Sequence, residues 1–146
     1  MAVAPISVLV VDDQPLQREG FRLVLDSQRD ITVVGEAGDG AQALALVRRM
    51  LVDVVLMDIR MPRVNGFTAT ERILADAKVQ ALGRPPRVVL VTALDLDDHI
   101  PTAAKVGAYA VLYKDVRPSA LLEAVRGAAR QRAADQRAAE QRAAGQ

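Results

Sequence analysis

Five short apolar runs, separated by longer segments with helical periodicity, constrain the fold of this 146-residue chain more than any other feature. They are rich in Val, Leu and Ile, and most do not alternate with polar residues. Such runs are typical of strands that are buried on both faces of a parallel sheet. The runs are Ile6–Val11, Ile31–Gly35, Asp53–Met57, Arg87–Thr92 and Tyr109–Tyr113.

The intervening segments are long enough for crossover helices. The pattern predicts an α/β fold of five βα units, a doubly wound parallel sheet with helices on both faces and right-handed crossovers. We expect Asp98 to cap the fourth helix, which would place Pro101 in the first turn, where its missing N–H costs least. We expect residues 77–86 to form extra helix or loop. The other predicted helices are Pro15–Ser27, Asp39–Met50, Asn65–Asp76 and a fifth that begins at Pro118.

Charge and composition exclude several classes of function. The net charge of +1 argues against a strong nucleic-acid or membrane field. The absence of cysteine excludes disulfides and thiolate metal sites. No apolar run approaches the roughly 20 residues of a membrane span, and Met1–Pro5 lacks the basic region of a signal peptide. We therefore expect a cytoplasmic protein without a membrane partner.

A repeated tail follows the last predicted helix. From Gln131 the chain reads QRAAD, QRAAE and QRAAG, and we predict a domain at 1–127 followed by an Ala/Gln/Arg-rich helical extension or linker at 128–146. Arg132 with Asp135, and Arg137 with Glu140, have the i,i+3 spacing of helical ion pairs. Successive arginines would step by about 140° around a helix, so they form no single basic face. A solvated extension is thus favoured over a coiled coil or a nucleic-acid arm.

Polar residues occur where the predicted strands end. Asp12 and Asp13 follow the first strand, Asp58 follows the third, Thr92 ends the fourth and Lys114 follows the fifth. In an open parallel sheet the carboxyl ends of all strands meet at one edge, where such sheets bind ligands. The sequence therefore predicts that these five side chains lie together.

This set of side chains is suited to phosphoryl transfer. Three neighbouring carboxylates repel one another, and a divalent cation such as Mg²⁺, which prefers hard oxygen ligands, removes that penalty. Lysine and threonine can contact phosphoryl oxygens, and a carboxylate can be the nucleophile. Each residue alone has an ordinary structural explanation, such as a helix cap, a turn or a surface charge, but their joint placement favours a site. The single histidine, His99, is expected to be a surface residue without a chemical role.

Four segments with these residues resemble the receiver domains of bacterial two-component response regulators. The resemblance covers roughly residues 6–127. Val34–Gly40 and the Lys-Asp pair after the fifth strand resemble most closely the receivers of LuxR-type transcription regulators. The four segments are Val8–Asp13, Val54–Gly66, Val89–Asp95 and Gly107–Asp115.

The resemblance implies a fold and a metal site. The fold would be flavodoxin-like with strand order 2-1-3-4-5. Asp58 would accept a phosphoryl group from a sensor histidine kinase. Asp13 and Asp58 would bind Mg²⁺ directly and Asp12 through a water, and the backbone carbonyl of Arg60 would be another ligand.

It also implies a switch. Thr92 and Lys114 would contact the phosphoryl group, and phosphorylation would alter the face formed by the fourth helix, the fifth strand and the fifth helix. That change would control homodimerisation or transcription, with DNA bound only through an output domain that these residues do not include. The chain would catalyse only its own phosphorylation and slow dephosphorylation.

One position departs from the family pattern. Three residues before Lys114, where many receivers have a Tyr or Phe that turns inward on activation, this chain has Val111. Tyr109 and Tyr113 share the parity of Val111 along the strand, so either could substitute. A receiver-like interaction domain that works without phosphorylation is therefore the alternative.

Two further classes are disfavoured. A haloacid-dehalogenase-type phosphatase needs a second aspartate where this chain has Arg60. A flavodoxin-like nucleotide binder needs a Gly-rich loop after the first strand.

Overall fold

A five-stranded, all-parallel sheet forms the centre of the protein. The structure is a computed structural model and describes residues 4–145. The strand order is β2-β1-β3-β4-β5, which confirms the predicted doubly wound fold and its strand order. The strands are β1 (Ile6–Val11), β2 (Ile31–Ala37), β3 (Val54–Asp58), β4 (Arg87–Thr92) and β5 (Ala110–Tyr113). The helices are α1 (Pro15–Asp26), α2 (Gly40–Arg49), α3 (Gly66–Ala75), α4 (Ala77–Ala81), α5 (Leu96–Val106) and α6 (Pro118–Ala144).

Helices cover both faces of the sheet, as the unbroken apolar strands require. Side chains of α1 and α6 pack with strand residues on one face, and side chains of α2, α3, α4 and α5 pack on the other. Adjacent residues of β3 serve both clusters, because Val55 faces one layer and Leu56 the other. The helical crossovers between strands make all five strands run in the same direction, so their last residues lie at one edge of the sheet.

Several element boundaries differ from the predictions. β2 continues through Gly35 to Ala37, with an irregularity in its pairing opposite Val8 and Leu9. β3 lies one residue later than expected, so Asp58 is its last residue. The extra pairing that β2 makes with β1 outweighs the weak strand preference of glycine at this position.

The predicted cap of the fourth helix was wrong. Asp95 precedes α5 in a left-handed conformation with φ 58°, and the helix begins at Leu96. The Asp98 N–H donates to the Asp95 carbonyl at 3.1 Å. Asp98 therefore lies within the first turn of α5 and is not its N-cap. Pro101 lies in the second turn.

The segment 77–86 contains the short helix α4. Asp76 begins it by accepting a hydrogen bond from the Val79 N–H at 3.0 Å and from Arg48 Nη2 at 2.5 Å. Val79 is fully buried against the α2–α5 layer. The insertion therefore extends the core on that face.

Helix α6 runs without interruption through the predicted boundary at 127/128. Leu121, Val125 and Ala128 are buried at i, i+4 and i+7, and the same stripe continues to Arg132. We retain the division into 1–127 and 128–146 as a prediction. The continued burial means that the first turns of the extension pack on the domain, whereas a fully solvated tail was expected.

The two predicted ion pairs of the tail are not formed. Arg132 pairs instead with Asp53 at 3.1 Å, and Asp135 pairs with Arg87 at 3.4 Å. Further along, Glu140 accepts a hydrogen bond from Gln136 at 3.3 Å. For Arg132 and Asp135, partners at the starts of β3 and β4 replace the local helical ones because α6 lies against these strands. Within residues 4–145, no helix has the length and apolarity to cross a membrane.

Candidate functional site

The carboxyl edge of the sheet brings the predicted polar residues together. Asp12 follows β1 directly, Asp58 ends β3 and Lys114 follows β5. One oxygen from each of the Asp12, Asp13 and Asp58 carboxylates lies within 4.8 Å of the others. Asp12 and Asp58 are almost completely buried, whereas Asp13 faces solvent. The result is an acidic cluster with one open side.

Lys114 bridges the two buried carboxylates. Its Nζ lies 3.1 Å from Asp12 Oδ2 and 3.0 Å from Asp58 Oδ2. Its backbone N–H donates to the Thr92 carbonyl at 2.9 Å, which fixes the lysine next to β4. A single positive charge is thus shared by two carboxylates, and the cluster of three carboxylates and one ammonium keeps a net negative charge.

Burial and charge act on the ionisation of these groups. Burial raises the pKa of Asp58, and the nearby Asp12 charge raises it further, although the hydrogen bond from Lys114 opposes them. Burial alone would lower the pKa of Lys114, but its hydrogen bonds and charge interactions with Asp58 and Asp12 outweigh that effect and raise the pKa. Lys114 is therefore held as an ammonium, and the carboxylate of Asp58 lacks full compensation.

The acidic cluster fits a hard divalent cation. Asp12 Oδ2 is buried and, within the described residues 4–145, has no partner with hydrogen-bond geometry, although Lys114 lies within ion-pair distance. Three carboxylates offer only oxygen donors, which suits Mg²⁺ better than a softer metal. Asp58 Oδ1 accepts the Arg60 N–H at 3.2 Å, so the backbone after β3 turns close to the cluster. The role of the Arg60 carbonyl as a ligand stays a prediction.

Two residues that support the cluster were not assigned a role from the sequence. Arg18 Nη1 donates to the Asp12 carbonyl at 2.7 Å and so ties α1 to the end of β1. Gly66 begins α3 directly against β3: a Cβ there would lie 2.9 Å from Ile59 Cα and closer still to the Asp58 carbonyl oxygen. Asn65, which caps α3 through the Thr68 N–H, gave a helix-start signal next to this glycine.

Thr92 is at the site, but its hydroxyl bonds to the following loop. Oγ1 donates to the Leu94 carbonyl at 2.8 Å and accepts from the Leu94 N–H at 3.3 Å. The side chain is almost fully buried at the end of β4. Contact with a phosphoryl group would require the hydroxyl to exchange these partners, so its predicted role remains a proposal.

The aromatic residues near β5 do not take the place of Val111. Val111 packs against the α2–α5 layer. Tyr109 precedes the strand, and its hydroxyl lies 2.6 Å from the position of a Cβ on Gly127 in α6, on the other layer. Tyr113 is partly exposed at the strand end. His99, expected at the surface, is partly buried and stacks at a tilt on Phe67 with ring centroids 5.5 Å apart.

Comparison with known proteins identifies the class of protein to which the chain belongs. Residues 8–126 match the response regulator receiver domain family, and the chain belongs to that family. It is a receiver domain, and its relatives include transcription regulators of two-component systems.

Particular relatives are of the same type. The chain is 42% identical over 128 residues to an uncharacterized transcriptional regulatory protein, YxjL, of Bacillus subtilis, covering 88% of this chain and 56% of that protein. It is 34% identical over 125 residues to the nitrate/nitrite response regulator protein NarL of Escherichia coli, covering 86% and 55%. The signal receiver domain of NarL from Mycobacterium tuberculosis superposes with a TM-score of 0.77 at 36% identity, covering 88% of this chain and 98% of that domain. The chain thus spans about half the length of the curated relatives it matches.

Proposed function

We propose that this domain is a phosphorylation-dependent switch in which Asp58 accepts a phosphoryl group. The observation that carries the proposal is the placement of Asp58 between Lys114 and the other two aspartates at the carboxyl edge of the sheet. The resemblance of the surrounding segments to receiver domains supports the same assignment. Asp12, Asp13 and Asp58 would hold Mg²⁺, which would neutralise charge on the phosphoryl oxygens.

The proposed chemistry is an in-line displacement at phosphorus. A carboxylate oxygen of Asp58 attacks the phosphorus of the donor, the bond from phosphorus to the donor atom breaks, and an acyl phosphate forms. Lys114 would move from the Asp58 carboxylate to an oxygen of the new phosphoryl group, since the ammonium already lies 3.0 Å from the acceptor. The Thr92 hydroxyl would leave Leu94 for the same group, and this exchange would reshape the β4–α5 loop.

The donor and the output follow from the family. We propose a sensor histidine kinase as the donor and control of transcription as the output, because the relatives include transcriptional regulators. DNA contact would require an output domain beyond the receiver fold. A homodimer is the proposed carrier of the signal.

One observation favours a second function. Val111 occupies the position of the usual switch aromatic, and neither Tyr109 nor Tyr113 replaces it. A domain without that coupling could act through protein contacts alone. This alternative predicts no effect of phosphorylation on its surface.

Intact-mass spectrometry after incubation with acetyl phosphate tests the proposal. We expect a gain of one phosphoryl group in the presence of Mg²⁺ and none in excess EDTA. Asp58→Asn should abolish the gain while its circular dichroism and melting remain those of a folded domain. Asp115→Asn, an exposed aspartate next to Lys114, is the matched control and should be modified like the wild type.

Two results would count against the proposal. Undiminished phosphate incorporation in Asp58→Asn would refute the assignment of the acceptor. An unmodified wild type that binds Mg²⁺ normally would favour the phosphorylation-independent interaction domain.

A further inference from the structure

A second group of charged side chains lies at the opposite edge of the sheet from Asp58. There the extension of α6 passes the loop between α4 and β4. A cavity of about 160 Å³ lies between them, and Arg84, Arg87 and Arg132 contribute to its lining. Both the α4 insertion and the helical extension, which the phosphoryl site does not use, are needed to build it.

Arg132 is a buried cation with incomplete pairing. It is 8% exposed, and its Nη1 lies 3.1 Å from Asp53 Oδ1. Its Nε and Nη2 are buried and have no hydrogen-bond partner among residues 4–145. Buried donors of a charged group carry a desolvation cost until an acceptor reaches them. These two nitrogens have almost no accessible surface, so Arg132 would reach an acceptor in the cavity only after a shift of its side chain.

Arg87 has the same deficiency on the neighbouring strand. One of its terminal nitrogens lies 3.4 Å from Asp135, and its guanidinium lies 5.9 Å from the centre of the Tyr109 ring. Its Nε is also buried and finds no hydrogen-bond partner in the part of the chain that the structure describes. Arg84, an exposed side chain that lines the same cavity, adds a third positive charge. Arginines of the α4–β4 loop, of β4 and of α6 thus line one cavity.

The net charge of the side chains around the cavity indicates the kind of ligand that it would bind. Three guanidinium groups face two carboxylates, those of Asp53 and Asp135, which leaves one net positive charge. A cation is excluded by this sign. Water in the cavity would leave this charge uncompensated, whereas a small anion would balance it. Arginine groups match the oxygens of phosphate, and the cavity is larger than the roughly 30 Å³ that one water occupies.

We propose that this cavity between the α6 extension and the α4–β4 loop binds a small oxyanion of the phosphate class through Arg84, Arg87 and Arg132. The ligand would be free phosphate or the phosphate group of a small ester. It would stabilise the contact between α6 and the base of the sheet, because its partners lie on both. The site is separate from Asp58 and does not depend on the proposed phosphorylation.

Nuclear magnetic resonance of the arginine Nε–H groups in the full chain tests this directly. The protein is titrated with sodium phosphate or glycerol phosphate in EDTA, with sodium chloride at equal ionic strength as the reference. We expect saturable shifts of the Arg132 and Arg87 Nε–H signals and none of the exposed Arg137. Equal affinities would identify free phosphate as sufficient, and tighter binding of the ester would identify an esterified ligand.

Arg84→Gln is the informative variant, because its exposed side chain can be replaced without leaving a buried charge unpaired. It should weaken phosphate binding about three- to tenfold, as expected for loss of one partly screened charge. Arg137→Gln, on the same helix, should bind like the wild type. Small non-saturating shifts shared by all arginines, or unchanged affinity in Arg84→Gln, would overturn the proposal.

Discussion

At the level of single residues, Lys114 provides the positive charge that partly neutralises the acidic cluster. It lies within 3.1 Å of Asp12 and 3.0 Å of Asp58, both nearly inaccessible to solvent. Buried carboxylates without a counter-charge are costly. The lysine thus both stabilises the unphosphorylated domain and stands next to the acceptor oxygen.

Replacing Lys114 by Ala should destabilise the metal-free domain by about 3 kcal/mol, because two buried carboxylates lose their partner. Urea unfolding in EDTA measures this. Lys105→Ala, an exposed lysine on α5, should change the free energy of unfolding by less than about 0.5 kcal/mol. Equal stability of the two variants would show that the bridge contributes nothing.

Lys114→Ala should nevertheless bind Mg²⁺, since its three carboxylates remain, and should fail to change conformation on phosphorylation. Amide hydrogen exchange in the β4–α5 loop, before and after incubation with acetyl phosphate, reports this. If hydrogen exchange in this loop changes on phosphorylation in the variant as it does in the wild type, Lys114 has no role in the switch.

At the scale of elements, the junction of β3 and α3 sets the position of Asp58. Gly66 allows α3 to start in contact with the last carbonyl of β3, and its N–H donates to the Ile59 carbonyl at 2.7 Å. Any side chain at this position would push the helix from the strand. The acceptor therefore depends on a residue that carries no functional group.

Gly66→Ala should lower the free energy of unfolding by about 2–3 kcal/mol, since the added methyl group overlaps backbone atoms. Gly20→Ala is the matched control: a Cβ there meets no atom within 4 Å, and the substitution in α1 should stabilise by about 0.5–1 kcal/mol. Thermal and urea unfolding measure both. A neutral Gly66→Ala would contradict the close contact.

The contact of α6 with the base of the sheet depends on Asp53. This residue accepts hydrogen bonds from the Ser7 N–H and hydroxyl at 2.9 and 3.1 Å and pairs with Arg132. One carboxylate thus joins β1, the start of β3 and the helical extension. Its loss would leave the buried guanidinium without an anion.

Asp53→Ala should therefore destabilise the domain by about 3 kcal/mol and increase hydrogen exchange in residues 128–136. Asp135→Ala removes a more exposed carboxylate of the same region and should cost less than about 1 kcal/mol. If exchange in the extension were the same in both variants, the Asp53–Arg132 pair would not hold the helix.

For the molecule as a whole, the sequence alone predicts the fold and the residues that meet at the candidate site. The unbroken apolar runs predict a parallel sheet. Because Asp12, Asp58 and Lys114 lie at the carboxyl ends of parallel strands, they meet at one edge of that sheet. Predictions from local sequence are wrong where contacts between distant residues determine the structure. The polar repeat around Arg132 predicts a solvated tail, although the buried stripe of α6 reaches this residue. The hydroxyl partner of Thr92 depends on the path of the next loop, which no spacing encodes.

Binding of Mg²⁺ should stabilise the whole domain by mass action, because the three carboxylates come together only on folding. At about ten times the dissociation constant, the expected rise in Tm is about 3–6 °C relative to sodium chloride of equal ionic strength. Asp13→Asn should reduce this rise, and Asp97→Asn, an exposed acid on α5, should not. A rise of the same size in both variants would place the ion elsewhere.

Asp58 is the proposed carrier of the phosphoryl group, and finding the modified residue on the chain tests this assignment. The wild-type protein is incubated with acetyl phosphate and Mg²⁺, reduced with borohydride, which converts an aspartyl phosphate to homoserine, and digested for peptide sequencing by mass spectrometry. We predict homoserine at position 58, with Asp12 and Asp13 unchanged. Homoserine at either of those residues, or a phosphate on a hydroxyl or on His99, would contradict the assignment.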